Sequence, residues 1–410
     1  MGNAYNSASL LVTPNGYKAS KIYSAKPTDG TGDLAFSRAS TALRRNSAGL
    51  WEEVANNVPR LQYPVGGGCP SWLFEPQATN VLQQSENFGT TWGISGVTVN
   101  PNQTQSPFVG LLADELTYLS GGDYVIQSTS LLNGVGKTIT ASFYIKNKDF
   151  LTNETLRIGM YDGSLSLAVI YKPFENTYVI DNSGFSNAVV TQVNEVNGWT
   201  RISITGTTTW NNGYFFTSSF GGASPRSIYL SNVDLVESSA ATSPIITAGS
   251  AVTRLADVTS KTGISSLIGQ TEGNIFFDII IGESLNDGVV RGIGGISDGT
   301  SGNRIEFYRF DNKLYYDNIA GGVLQFAGEV YTITSFNTRL KGCINYKLNS
   351  VKVFINGTLA NTDTTALIPA CSQFTEGNLR NSSSYNGLID EAIIIKTALS
   401  DAECIELTTL

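Results

Sequence analysis

At 410 residues the chain is longer than one ordinary hydrophobic core organises, and at about 100–200 residues per domain it divides into two or three. Charged residues are 15% of the total and the formal net charge is −8, which leaves no basic face to neutralise a phosphate backbone and excludes nucleic acid as a partner. There is no histidine, and its absence removes Ser-His-Asp and Cys-His catalysis, histidine-based zinc sites and the commonest general base together.

Residues 1–76 read as irregular. Ser, Asn, Pro and Gly are frequent, and "YPVGGGCP" (63–70) interrupts any regular element. The start, "MGNAYNSASLLVTPNGYK", has neither the basic nor the apolar region of a secretion signal. No apolar run in the chain approaches the roughly 20 residues that cross a bilayer, so membrane insertion is not expected. With so little periodicity, this segment is expected to gain order against a partner or within an oligomer. It leads into "LFEPQATNVLQQSENF" (73–88), which gathers Glu75, Asn80, Glu86 and Asn87 in a chain otherwise sparing with charge.

From 77 to 240 the pattern is strand. "TITASFYIKN" (138–147) and "TRISITGTTTW" (200–210) combine β-branched and aromatic residues with period-two alternation. Residues 241–258, overlapping the small, polar stretch "ESSAATSPIITAGSAVTR" (237–254) around Pro244, read as a linker. Strands resume from 259 to 410 in "NIFFDIIIG" (274–282) and "NSVKVFINGTLANT" (349–362). Asn356-Gly357 between two alternating runs predicts a hairpin, and Asp162-Gly163, Asp287-Gly288 and Asp298-Gly299 mark further turns. The one convincing helix signal is "LSDAECIEL", where Ser400 as N-cap and Glu403 three residues on form a capping box. The expected fold is all-β: two tandem antiparallel jelly-roll sandwiches after an irregular N-terminal anchoring segment, with one short C-terminal helix. Cys69, Cys343, Cys371 and Cys404 are scattered without a CxxC pair and read as buried, reduced thiols, with a Cys343–Cys371 bridge left open.

Several of these segments carry a resemblance. "LAFSRASTALRRNSAGLWEEVANNVPRLQYP" (34–64) followed by "WLFEPQATNVLQQSENF" (72–88) resembles the recurring segment of bacteriophage tail-fibre and related virion proteins. Its pattern is F-x-R-A-S-x-A, then V-P-R, then E-x-x-x-T-N-L-L-x-x-S-E-x-F, with Val81 here where leucine is usual. "SFYIK" (142–146), "NGWTRISITG" (197–206), "IYLSNVDLVE" (228–237) and "AGSAVTRLADV" (248–258) continue the likeness in a block similar to a carbohydrate-binding-module jelly roll. "VKVFINGTLANT" (351–362) and "NGLIDEAIIIKTALSDAECIEL" (386–407) resemble concanavalin-like, laminin-G-type sandwiches. The resemblance spans nearly the whole chain. It implies a structural protein of a tailed-phage virion, assembled in the host cytoplasm, joined to other virion proteins through residues 1–76, trimeric, and attached without catalysis to host surface polysaccharide. The competing expectations are a purely architectural capsid or tail decoration and a polysaccharide depolymerase.

On this reading Glu75 and Asn80 satisfy buried backbone groups at the entry to the first sandwich. The Glu-x-Asp-x-x-Glu spacing that puts two glutamates on one strand face is absent, and adjacent Asp390 and Glu391 face opposite sides, so no catalytic pair is expected. Glycan binding needs an aromatic platform with polar readers. Trp210, Asn211, Asn212 and Tyr214 form one candidate, and Tyr308, Asp311 and Tyr315, near Arg304, Asn312 and Tyr316, form another; Trp199 is expected in the core. No protein cofactor is expected. Calcium is the remaining candidate ion, on the oxygen-rich loop "GESLNDG" (282–288) or near Asp298.

Overall fold

The structure, a computed structural model, describes residues 2–410 except 130–135, 162–164, 209–212, 222–224, 283–287 and 381–382. Among the described residues the strands pair antiparallel into two sandwiches. The first is built from two six-stranded sheets, one running from Gly93–Ser95 to Thr177–Asn182 and the other from Val97–Gln105 to Ser186–Asn194. Inward-facing residues such as Leu116, Phe143, Ile158, Phe215 and Leu230 fill the space between them. The second sandwich packs an eight-stranded sheet on a nine-stranded one around Trp72, Phe277, Ile305, Tyr346 and Ile394.

The N-terminal segment differs from its sequence expectation. It is neither irregular nor separate, because its short strands belong to the second sandwich. Ala8–Val12 pairs with Gly387–Ile395, Leu10 opposite Ile394 and Val12 opposite Ala392, and buries both side chains in that core. Leu34–Ser37 pairs with Val258–Thr262, and Ser71–Phe74 with the start of Gly387–Ile395. The pairing partners lie more than 200 residues away, so no local periodicity announces them. An anchoring role based on disorder thereby loses its physical footing. The chain adds strands from both its ends to one sandwich, and the other sandwich is inserted between them.

The predicted linker is likewise structured. Val252–Arg254 pairs with Ala78–Asn80, closing the chain's entry to and exit from the first sandwich against each other. Beside this closure lies a buried ion cluster in which every side chain is 0–3% exposed. Arg38 meets Asp257 at 3.0 Å; Arg60 bridges Asp257 and Glu75, the latter at 2.6 Å; Arg254 meets Glu75 at 3.0 Å. Spare guanidinium donors reach the carbonyls of Ser40, Ala55, Val58, Leu43 and Pro76. Glu75 also accepts from the Ser243 amide and hydroxyl, both at 2.6 Å. Burial pushes the Glu75 carboxyl up, but Arg254 and Arg60 outweigh it and hold it at about 2.

The hairpin formed by Ala42–Arg45 and Trp51–Val54 covers part of the outer face of the first sandwich. Leu43, Trp51, Phe108, Tyr144 and Trp199 make a small apolar cluster there. This explains why Thr138–Asn147 is buried on nearly every residue rather than on alternate ones. Trp199 is buried as expected, though in this joint rather than the central core, with its indole N–H donating to the Gln105 carbonyl.

The Asn356-Gly357 turn joins Ser350–Ile355 to Thr358–Asp363 with both turn residues at positive φ, 48° and 76°. The helix Asp401–Thr408 begins with the capping box read from sequence: Glu403 N–H donates to Ser400 Oγ and Ser400 N–H to Glu403 Oε2. A second short helix, Gly2–Ser7, carries no sequence signal that identified it. The cysteines correct two expectations. Cys69 is exposed, and Cys343 lies under the C-terminal helix with Cys404 rather than near Cys371, which belongs to the main core. All four are free thiols.

Two outcomes follow. Removing residues 1–76 takes six strands out of the second sandwich, so the isolated fragment 259–410 is expected to lack a cooperative thermal transition; a sharp, reversible melt by circular dichroism would contradict this interlocking. Arg60→Met leaves Glu75 and Asp257 short of a buried partner and is expected to cost about 3–5 kcal/mol, read as a lowered unfolding midpoint in urea.

Candidate functional site

The first sandwich carries a polar and aromatic row on the outer face of one sheet. Core-facing Leu156, Ile158, Met160 and Phe215 alternate with outward Arg157, Gly159, Tyr161, Tyr214 and Phe216 along two paired strands. Tyr161 lies opposite Tyr214, ring centroids 6.5 Å apart, and 6.3 Å edge-on from Phe216. Phe216, Gly159, Ala168 and Asp181 stand in register across four strands. The small residues leave space over which Arg157 extends: its guanidinium lies 5.4 Å from the Phe216 ring, donates to Asp181 Oδ2 at 2.6 Å and to Ser166 Oγ at 2.6 Å. A Cβ at Gly159 would lie 2.4 Å from the Leu167 carbonyl oxygen, so this close strand approach requires glycine. Half-exposed tyrosine rings beside a fixed guanidinium–carboxylate pair are the groups with which proteins in general stack on a sugar's C–H face and read its hydroxyls.

Of the four candidates named for this sandwich, Tyr214 stands on that face. Trp210, Asn211 and Asn212 lie outside the described residues. Tyr161, Phe216, Arg157 and Asp181 were missed, because they come from strands 20 to 60 residues apart in sequence that only sheet register aligns.

In the second sandwich Tyr308 and Tyr315 are direct cross-strand neighbours, their rings parallel within 10° and 5.5 Å apart, on the face turned away from the core. Tyr308 OH donates to Asp317 Oδ1 at 3.0 Å, and Arg304 bridges Asp317 at 3.0 Å and Glu306 at 3.1 Å. Burial raises the Tyr308 phenol, and neighbouring Asp317 raises it further, so it stays a donor. Asp311 sits in the turn between the two strands at φ 54° and accepts the Gly288 N–H at 2.9 Å, a turn role rather than a platform role. Tyr316 points the other way, into the core against Phe326.

The conspicuous carboxylates are structural. Asn80 donates to the Val233 and Ile245 carbonyls and accepts from the Leu82 and Leu235 amides, the role read for it from sequence. Asp390 takes Arg339 at 3.1 Å and the Ser71 hydroxyl, while Glu391 takes Tyr5 OH at 2.8 Å, so the two serve different partners. Asp298 is engaged by Thr300 and Asn303 in its own turn. Most of the other calcium candidate, 283–287, lies outside the described residues, and among the described residues no group of three or more acids, cysteines or histidines is arranged to hold a metal. Burial raises Asp234 to about 7, with Arg201 opposing it, and raises Glu376 to about 8; neither Glu376 carboxylate oxygen has a hydrogen-bond partner.

No protein-family model matches the chain, and no curated protein matches it. Solved structures similar to parts of it include the Ruminococcus gnavus IT-sialidase CBM40 bound to α2,3-sialyllactose (14% identity, 36% of this chain and 91% of that one, TM-score 0.31). Domain 4 of AbnA, a GH43 extracellular arabinanase from Geobacillus stearothermophilus, in complex with arabinotriose, matches over 63% of this chain and all of that one (14%, TM-score 0.32). Mouse laminin α1 domains LG4-5 match over 80% and 92% (8%, TM-score 0.25). Likenesses this distant carry no argument about what this chain does.

The buried carboxyls set a pH dependence. Asp234 and Glu376 have raised folded-state values, so their contribution is fully present below their ordinary 3.8 and 4.5 and is lost as pH rises through about 7 and 8. Glu75 is depressed, so its contribution is present above 4.5 and lost as pH falls toward about 2. Scanning calorimetry is expected to find the highest unfolding midpoint near pH 4–5 and a decline toward pH 8; Glu376→Gln should flatten that decline, and an unchanged slope in the variant would remove Glu376 as its cause. Alkylation of the native protein is expected to modify Cys69 alone, with the other three thiols reacting only after unfolding.

Proposed function

We propose that this protein is a non-catalytic glycan-binding component of a tailed-bacteriophage virion, which attaches to bacterial surface polysaccharide through the outer faces of its sandwiches. The observation that carries the glycan reading is the pair Tyr214 and Tyr161, backed by the buried Phe216 ring, beside Arg157 and Asp181. It combines ring faces with paired hydrogen-bonding groups on a rigid sheet, the arrangement a saccharide needs. The Tyr308–Tyr315 pair with Asp317 and Arg304 is a second face of the same chemistry. The carboxylates near both faces are tied to arginines rather than left opposed across a cleft, which favours holding a sugar over hydrolysing it.

The virion setting rests on the resemblance of residues 34–88 and 248–258 to tail-fibre segments. Arg38, Arg60, Glu75, Arg254 and Asp257, which carry that resemblance, are the members of the buried ion cluster. What the motif encodes is therefore the way one sandwich is mounted in the other. Assembly as a trimer with other virion proteins belongs to the same proposal.

Purified protein incubated with polysaccharide from a candidate host is expected to be retained without new reducing ends appearing. Tyr161→Ala with Tyr214→Ala should weaken retention at least tenfold at unchanged unfolding midpoint, the cost of roughly 1–2 kcal/mol of lost stacking. New reducing ends would replace the adhesin with a depolymerase. Retention nowhere, with antibody labelling along the particle shaft or shell, would leave an architectural subunit.

A further inference from the structure

A cleft of about 810 Å³ separates the two sandwiches. That volume lies within the roughly 300–1,000 Å³ of small-ligand sites. One wall is the face of a strand pair in the first sandwich, with Thr191, Val193, Arg201 and Ser203; the other is the rim of the second, with Arg339 and Asp390. The N-terminal hairpin and the stretch around Thr242 form the floor. None of this belongs to the aromatic faces described above.

Its chemistry is balanced. Arg45, Arg201 and Arg339 are offset by Glu75, Glu195 and Asp390, the only charged residues of the lining, so the cleft has no net field with which to select an anion or a cation. Two guanidinium–carboxylate pairs border it: Arg45–Glu195 at 2.6 Å and Arg339–Asp390 at 3.1 Å. The first is a fixed part of the floor, since the Glu195 side chain is fully buried and Arg45 stacks 4.6 Å over the Trp51 ring. The second is open to the cleft: Arg339 is half exposed and clamped from behind by Asp278 at 2.7 and 2.6 Å, with Asp390 partly exposed beside it. A pre-positioned planar donor beside a planar acceptor matches a vicinal hydroxyl pair, Thr191 and Ser203 add hydroxyls on the other wall, and Tyr63, Pro64 and Pro70 supply apolar rim.

We propose that this inter-sandwich cleft is a further glycan site, taking a short uncharged oligosaccharide segment in contact with both sandwiches at once. The inference rests on the glycan-binding reading above and adds a site to it. Occupancy would fix the relative placement of the sandwiches, because the Arg339–Asp390 pair stands on the rim of the second and Thr191 and Ser203 on the wall of the first.

Cys69 lies in the lining and is the exposed cysteine, so the protein carries its own reporter. The probe is a set of neutral four- to six-sugar fragments released from bacterial O-antigens and capsules. Maleimide labelling of Cys69 is followed by mass spectrometry in full-length protein, and binding by calorimetry in parallel. A fragment present at ten times its Kd should slow labelling about tenfold. Protection should survive Tyr161→Ala with Tyr214→Ala and disappear in Val193→Trp, which fills the cleft from a position 41% exposed and so tolerant of substitution. Binding heat with labelling unchanged would overturn the cleft site and leave the sheet faces as the glycan site. Protection by peptides and not by sugars would overturn it in favour of a protein ligand. Neither heat nor protection across the set would overturn both readings.

Discussion

Five buried charges determine how this chain is put together. Arg38, Arg60 and Arg254 converge on Glu75 and Asp257 where the N-terminal segment, the entry to the first sandwich and the exit from it meet. Ions without access to water are tolerated when they are paired, and here backbone carbonyls from the surrounding loops take most of the remaining donors, leaving Arg60 Nε and Arg254 Nε without a partner. A cluster of this kind is demanding rather than strongly stabilising. It admits one geometry, so it sets the register in which distant segments come together, and the 78–80/252–254 strand pair and the Trp51–Tyr144 apolar patch form beside it.

That constraint explains why the aromatic faces lie where they do. The N-terminal hairpin covers one face of the first sandwich, so its other sheet is the one with a face left to present Tyr161, Tyr214 and Arg157. The same mounting leaves a gap between the sandwiches whose walls carry paired charges. The surfaces proposed for glycan are thus of two kinds, faces that strand alternation creates and a cleft that the joint creates.

Much of the fold was legible in the sequence. Period-two alternation disclosed the strands, Asn356-Gly357 the hairpin and Ser400 with Glu403 the terminal helix, because each of these is decided by neighbours within a few residues. The two aromatic faces were half legible. Tyr308 and Tyr315 lie close enough in sequence to be read as a pair, and Tyr214 was identified, but Tyr161, Arg157 and Asp181 join it only through pairing across four strands. Tyr316 and Asp311 were read as companions of the pair, yet alternation turns the first into the core and turn geometry employs the second.

The N-terminal segment marks the boundary most sharply. Composition alone made residues 1–76 look unstructured, since short strands broken by Gly, Pro and Asn have no periodicity of their own. Their order comes from partners at 258–262 and 387–395, supplied after the intervening sandwich has folded back on itself. By itself the sequence determined the class of fold, the positions of most strands and turns, and the exclusion of histidine chemistry, all properties of local pattern and composition. Tertiary structure alone decided that one sandwich is inserted in the other, which side chains share a face, and which charges pair with Glu75, because these depend on hydrogen-bond register and charge pairing between residues far apart in the chain.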